Sequence, residues 1–467
     1  MTRNLNCTIG LLLCLAMVRE AQAATRYTKV TATGSGNCTS WADACTLATA
    51  VDPQTPVAQP GDSVWVMAGT YEPFTLLNGV KIIGGFAGTE TFASQSNPTT
   101  NVTIVDGGGF QRCVTSYNVG PGTVLRGFKI VNGYDGDDSG GGGLLLQDSE
   151  AMFVQCIFEH NTAAYAGGAV MIRDNSNVQF VNSIFRYNGS TSPDGTPYGG
   201  GALVVFLHSS LMAVNCLFHD NQAWEAGAVL IADDSIPNFI NCTFANNRAT
   251  GPGKHGGAIH DESGVATLQN CVLWGNTRWD GWPESIWGRY TLTGTIVNYS
   301  DVQGGWLGTG NINANPLFQN SAANNYALQS SSPCKNTGGN PALPADVADL
   351  DWDGNTTEAL PMDLARVVRV LSGTVDMGAY EYGCYTTGAD CDLNGEPDTC
   401  EIEADPILDC HNQNGVLDLC EAGVVPRGAC CVGFTCEWPT TPCRCAANGG
   451  YWQQGKCFEV TCGLGPE

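Results

Sequence analysis

Cationic side chains are scarce in this chain: Lys and Arg number 20 against 45 Asp and Glu, a formal charge of −25 over 467 residues. No basic face is available to neutralise phosphates, which argues against nucleic acid as a partner and, for the same reason, against anionic membrane surfaces. Histidine is rarer still. His160, His208, His219, His255, His260 and His411 form no H-E-x-x-H and no paired spacing of a zinc site. The glycine run at 140–143 is followed by no P-loop lysine, and no serine-centred nucleophile elbow occurs. Helical periodicity is nearly missing as well. Over residues 24–120 only 42–51 carries it, and that stretch reads as an N-terminal capping helix. Beyond the N-terminus no apolar run is long enough to cross a bilayer.

What is abundant is glycine, at 59 residues, together with Asn and Asp. An acidic chain of that kind suits an extracellular setting where calcium is available. The N-terminus agrees: Arg3, an apolar run over 9–18 and Ala21-Gln-Ala23 make a signal peptide cleaved before Ala24. Cys14 after Leu13 leaves a lipoprotein site as the alternative. There are 22 cysteines, and their density after Tyr382 in an exported chain argues for disulfides there. Cys38 and Cys45 are placed for a short loop disulfide.

Residues 149–276 repeat one pattern five times. Phe158, Phe185, Phe218, Phe244 and Leu273 are each followed three positions later by Asn161, Asn188, Asn221, Asn247 and Asn276. Two positions before each anchor stands Cys156, Ser183, Cys216, Cys242 or Cys271. A small-Gly-Ala-aliphatic step follows the first four, beginning at Gly167, Gly200, Ala226 and Gly256. A fixed pattern on an uneven period means a fixed rung with variable loops. One coil cannot bury its apolar residues alone, whereas coils stacked about 4.8 Å apart enclose a narrow continuous core. The phenylalanines then form an aromatic column, the cysteines stack inward as small apolar thiols, and the asparagines form a ladder at a corner. Asparagine also tolerates the left-handed backbone a sharp corner requires. The fold class is all-β: a single-stranded right-handed parallel β-helix followed by a small disulfide-rich, calcium-loop tail.

These motifs, F-x-x-N with G-G-A-[ILV], resemble the repeat pair of the polymorphic outer-membrane-protein family. More broadly they resemble right-handed parallel β-helix repeat proteins, which share the pectin-lyase-like fold. The resemblance covers about residues 60–383 and implies the fold and its hand. It implies no single activity, because that fold hosts lyases, hydrolases, adhesins and proteins without known function. Residues 311–318, 326–328, 332–338 and 375–381 resemble a terminal region called choice-of-anchor Q, which implies a surface or secreted location. The chain lacks the C-terminal barrel pattern of autotransporters.

The spacing therefore divides the chain into a signal peptide (1–23), a cap with the first coils (24–120), the β-helix repeats (121–310), a closing region (311–383), acidic calcium-loop repeats (384–425) and a Cys-rich tail (426–467). Asp390, Asp392, Asn394, Asp398 and Glu401 place oxygens at alternate positions with Gly395 at the turn, the spacing of an EF-hand loop. Pro397 and the interleaved cysteines make it look more like dockerin or thrombospondin type 3 loops. Asn412, Asn414, Asp418 and Glu421 form a second copy with Cys410 at the first position. The alternative is a disulfide-clamped acidic turn. A third run offers Asp349, Asp351 and Asp353 with Gly354, then Thr357 and Leu360 where further donors belong, so calcium and a solvated loop stand level.

Candidates for catalysis are Arg173-Asp174, Lys254-His255 near His260-Asp-Glu262, and the pairs Asp137-Asp138 and Asp233-Asp234. A lyase needs a base beside a calcium-neutralised uronate, and a hydrolase needs paired carboxylates. None of these falls in a motif of either kind, and exposed loop polarity accounts for them equally. Trp274, Trp279, Trp282 and Trp287 cluster in one loop, where they could stack on sugar rings or pack the end of the coil. The expectation is a secreted or cell-surface, non-enzymatic adhesin or display scaffold with structural calcium. The alternatives are a polysaccharide lyase or glycoside hydrolase, and a carbohydrate binder without turnover. An extracellular polysaccharide or another surface protein is the expected partner.

Overall fold

The computed structural model describes residues 23–137, 139–191, 199–263, 265–288, 294–371 and 373–383. Beyond them it describes three antiparallel strands, Gly428–Val432, Thr435–Thr440 and Tyr451–Gln454. The expected signal peptide, the tail cysteines and the nine expected ligands Asp390, Asp392, Asn394, Asp398, Glu401, Asn412, Asn414, Asp418 and Glu421 lie outside the described residues or their described side chains.

The chain winds as a parallel β-helix whose four walls are sheets of 11, 9, 8 and 5 strands. One coil contributes Glu150–Val154, Ile157–Glu159, Thr162–Ala163 and Val170–Arg173. Each pairs in parallel with its counterpart one coil on: Asn177–Val181, Ile184–Arg186, Gly189–Ser190 and Leu203–Val205. The register keeps like residues stacked, Phe158 over Phe185, Phe218 and Phe244, with Leu273 continuing the column. The rings lie 4.9, 4.6 and 4.6 Å apart and nearly coplanar, and all four are fully buried. Ile130 takes the Phe position one coil earlier.

The asparagine ladder forms as the repeat requires. Asn161 Nδ2 donates to Asn188 Oδ1 at 3.0 Å, Asn188 to Asn221 at 3.0 Å, Asn221 to Asn247 at 2.9 Å and Asn247 to Asn276 at 3.0 Å. Each oxygen also takes the backbone N–H of the asparagine in the preceding coil, and each amide donates to a core carbonyl such as Phe158 O. Buried amides are thereby satisfied without water. The left-handed backbone falls one residue earlier, on His160, Tyr187, Asp220, Asn246 and Gly275. The ladder residue needs its side chain aimed inward, so its neighbour turns the corner. A second left-handed corner, at Gln155, Asn182, Asn215, Asn241 and Asn270, precedes the Cys/Ser column. At the small-Gly-Ala step, Gly167, Gly200 and Gly256 take φ of +61° to +79°, and Ala226 accepts φ 55° in the same place. The second glycine is needed for space, since a Cβ on Gly168 would meet two carbonyl oxygens at 2.4 Å.

Cys156, Cys216, Cys242 and Cys271 are buried free thiols, each against a carbonyl two residues back and one in the preceding coil. Burial pushes the Cys156 thiol up to about 12. Maleimide should therefore leave these four thiols unlabelled in the native chain and label them after unfolding; rapid native labelling would mean the column is open. Cys38 and Cys45 form the expected loop disulfide. The capping helix is shorter than expected. Cys45–Thr46 is strand, and only Leu47–Ala50 is helical, capped by the Thr46 hydroxyl. The bridge and the strand pairing of Cys45 with Thr28 hold Cys45–Thr46 extended, and the residues before them turn, with Asp43 N donating to Ser40 O.

Residues 311–383 do more than end the coil. The hairpin of Phe318–Asn320 and Asn325–Leu328 lays Tyr326 over the outer face of the Phe wall, against Leu217 and Ala245. The chain then passes Asn270, which pairs with Gly339 in both directions, and climbs the outer face of the 11-stranded sheet. Ala348, Leu350 and Leu360 pack there on Val154, Val181, Val214 and Ile240. At the far tip Arg126 donates to the carbonyls of Ala348 and Asp349. On the way back Asn215 and Asn182 donate to Met362 O and Asp363 O, and Ala379 N donates to the Thr243 hydroxyl. The segment is a strap lashed along successive coils, held largely by the left-handed corner asparagines. Arg369, Asp363, Asp376 and Glu381 are fully buried at its return.

Candidate functional site

The strap's tip carries the third acidic run. Its ends are brought together by an antiparallel bridge between Ala345 and Ala359 and by Asp346 N donating to Glu358 O at 2.9 Å. Positive φ at Asp349, Trp352 and Gly354 curls the intervening chain. Carboxylate oxygens of Asp346, Asp349 and Asp351 lie within 4.8 Å of one another, as do those of Asp351, Asp353 and Glu358. All three sequence candidates, Asp349, Asp351 and Asp353, are thus gathered. The positions expected to complete an EF-hand-like set do not take part as donors: Leu360 is buried against the sheet, and the Thr357 hydroxyl donates to Asn355. Asp346 and Glu358, which the spacing rule does not count, stand in the cluster instead.

The electrostatics of the loop are one-sided. Burial, then the charges of Asp351 and Asp349, push the Asp346 carboxyl up. Burial and the charges of Asp353, Asp351 and Asp346 push Glu358 up. Arg126 stands beside the loop, its guanidinium 3.9 Å over the Trp352 ring, its Nη1 donating to the carbonyls of Ala348 and Asp349 and its Nε to Gln155 Oε1, and its charge pulls Asp346 down.

The second concentration of chemistry lies on the wall formed by the later coils. Glu225 contacts both Lys254 Nζ and His260 Nδ1 at 3.1 Å. Burial raises the Glu225 carboxyl, but His260 and Lys254 outweigh it and hold the group below its usual range. His255 Nδ1 pairs with Glu284 at 3.0 Å, and its ring stacks on Trp287 at 3.9 Å. Arg278 bridges Asp280 and Glu284. Trp279, Trp282 and Trp287 are 40%, 67% and 40% exposed around this cluster. Trp274 is different: it lies on the outer face of the coil and is covered by the closing segment, packing with Ile312 and Phe318 on Leu328 and Met377.

The remaining candidates stay apart. Arg173 and Asp174 pair with each other at 3.0 Å. Asp233 and Asp234 are exposed left-handed corner residues. Asp137 caps Ser139 N, while Asp138 lies outside the described residues. Asp261 is buried and accepts from Ala266 N and the Thr295 hydroxyl.

Residues 125–298 match the family described as the right-handed beta helix region. A curated relative, metabotropic glutamate receptor-like protein R of Dictyostelium discoideum, is 28% identical over 192 residues. That alignment takes in 40% of this chain and 11% of the relative, so the chain spans about a tenth of that protein's length. Among solved structures, the crystal structure of pectate lyase Pel9A is similar at a TM-score of 0.37 and 12% identity, over 77% of this chain and 97% of that one. A likeness that loose carries no activity across. The stacked parallel walls and the family match agree: residues 125–298 are a right-handed β-helix region within an all-β parallel β-helix solenoid.

Proposed function

We propose that this chain is a secreted or cell-surface scaffold without turnover, serving adhesion or display. The observation that carries this reading is the strap, which is tied to four of the stacked coils through Arg126 and the corner residues Asn182, Asn215 and Asn270. A solenoid whose coils touch only their neighbours is stiffened when one segment ties several together along the flank. That is what a protein holding a surface or a partner at a distance requires. The acidic balance and the signal-like N-terminus support an extracellular setting, with a polysaccharide or another surface protein as partner.

A second reading, a carbohydrate binder without turnover, is favoured by Trp279, Trp282 and Trp287, exposed beside the His255–Glu284 and Arg278–Asp280 pairs. Indoles offer an apolar face for stacking, and the flanking polar groups offer hydrogen bonds. One experiment separates the readings. The purified chain is incubated with a panel of uronans and neutral glycans, and reducing ends, unsaturated products and bound protein are measured. The scaffold reading expects no products, and expects any glycan binding to survive Trp282→Ala. Binding that Trp282→Ala abolishes would establish the second reading. New reducing ends or unsaturated products would overturn both in favour of a glycoside hydrolase or polysaccharide lyase.

A further inference from the structure

We propose that the acidic loop binds calcium through two trios that share Asp351, namely Asp346, Asp349 and Asp351, and Asp351, Asp353 and Glu358, and that this locks the tip of the strap onto the solenoid. The site stands on the loop's own geometry and does not depend on whether the chain turns over a substrate.

The cluster of carboxylates is the lesser part of the argument. The greater part is Asp346. Its residue is fully buried, and only one of its oxygens has a protein partner: Oδ2 accepts from Leu350 N at 2.7 Å, while Oδ1 meets no donor. A buried carboxylate oxygen left without a donor forfeits its solvation with nothing in return. Glu358, itself half-buried, has Oε2 accepting from Asn355 and Oε1 shielded without a donor. These two oxygens belong to the residues at opposite ends of the loop, which the Ala345–Ala359 bridge holds together. Between them lie Asp349, Asp351 and Asp353, and Asp351 is within reach of both ends of the cluster.

The ligand chemistry follows from the donors. Calcium takes six to eight oxygens at about 2.3–2.6 Å, so two oxygens sharing the ion lie no more than about 5 Å apart. The 4.8 Å limit that contains each trio falls within that bound. An all-carboxylate set without nitrogen or sulfur disfavours zinc and the later transition metals. Five acidic side chains on an irregular loop suit calcium better than magnesium, which demands near-ideal octahedra and keeps its waters. Two positive charges would also offset the mutual repulsion that the neighbouring Arg126 relieves only in part at Asp346. The consequence reaches the fold: Leu350 and Leu360, which flank the donors, are the side chains that pack the tip on the sheet.

Trp352 lies between two of the ligands and supplies the readout. Terbium(III) is titrated into the full chain with excitation at the tryptophan band, and bound terbium is then displaced with calcium. Because the acidic tail could bind independently, Asp351→Asn, Asp353→Asn and Asp392→Asn are titrated in parallel, with Trp352→Phe to identify the sensitiser. The proposal expects sensitised emission that calcium displaces and Trp352→Phe removes. Asp351→Asn should weaken that component about tenfold or more, and Asp392→Asn should leave it in place. Asp353 is exposed, so Asp353→Asn keeps the test valid should Asp351→Asn impair folding. Titrations of Asp351→Asn and Asp353→Asn that match the unmodified chain would overturn the site, whether ions bind only in the tail or nowhere.

Discussion

Phe218→Ala is expected to destabilise the solenoid by about 3–5 kcal/mol, read as a shift in the denaturant midpoint. Phe218 is fully buried, with Phe185 and Phe244 stacked at 4.6 Å on either side and Phe239 edge-on at 6.2 Å. The cost should lie at the upper end for a core residue because the column has little freedom to collapse. The backbone on either face is pinned by parallel pairing and by the ladder bonds of Asn188, Asn221 and Asn247. Neighbouring rings cannot slide into the space without breaking that register. Phe218→Leu, which keeps the column occupied as Leu273 does at its end, should cost much less. A near-neutral Phe218→Ala would mean the column is not the core.

Arg369→Ala is expected to cost a similar amount, about 3–5 kcal/mol, and to release the strap before the coils. Arg369 is fully buried, donates to the carbonyls of Asp376 and Gly378 at 2.9 and 2.7 Å, and lies 3.9 Å from Glu381. Removing it leaves three buried acids without this guanidinium. Burial pushes Asp363 up to about 6 and Glu381 up to about 8, in both cases against the pull of Arg369. Their folded values exceed the unfolded ones, so the folded strap binds more protons. The stability these groups contribute is fully present below about pH 4 and is lost as pH rises through about 6 and then about 8. In the unmodified chain the strap should therefore loosen from pH 5 to pH 8. The Arg369→Ala penalty should be larger at pH 8, where protonation can no longer neutralise the acids. A penalty that does not change with pH would show that the acids stay charged over this range.

Much of the solenoid was legible because its signals are local and repeated. An F-x-x-N period with an inward Cys two residues before it assigns a face to each side chain, and the coil stack follows. The turn chemistry was legible only in part. Pattern alone cannot say which residue of His160-Asn161 carries positive φ, since the ladder's side-chain aim decides it. The strap was not legible. Its attachments pair residues far apart in sequence, such as Arg126 with Ala348 and Asn182 with Asp363, and no short-range periodicity encodes them. The same limit explains the metal-binding candidates. Asp349, Asp351 and Asp353 follow a forward-counted spacing, whereas Asp346 and Glu358 join them only because Ala345 and Ala359 pair. Nothing in the residues around Arg369 signals burial, and only the closure of the strap over it makes it a core residue. The wall cluster was visible as separate letters, Lys254, His255 and His260, while Glu225 and Glu284 enter from neighbouring coils.

The binding of the coils into one rod rests on the strap drawn along their flank. Native amide hydrogen exchange tests it most directly. In the unmodified chain the amides of Leu360, Arg369, Met377 and Ala379, each bonded to the strap itself, the chain near Cys334 or the Thr243 hydroxyl, should exchange far more slowly than the exposed loops. In Arg369→Ala they should lose protection while Asn188, Asn221 and Asn247 keep theirs. Strap amides that exchange freely in the unmodified chain, beside a protected ladder, would contradict the claim.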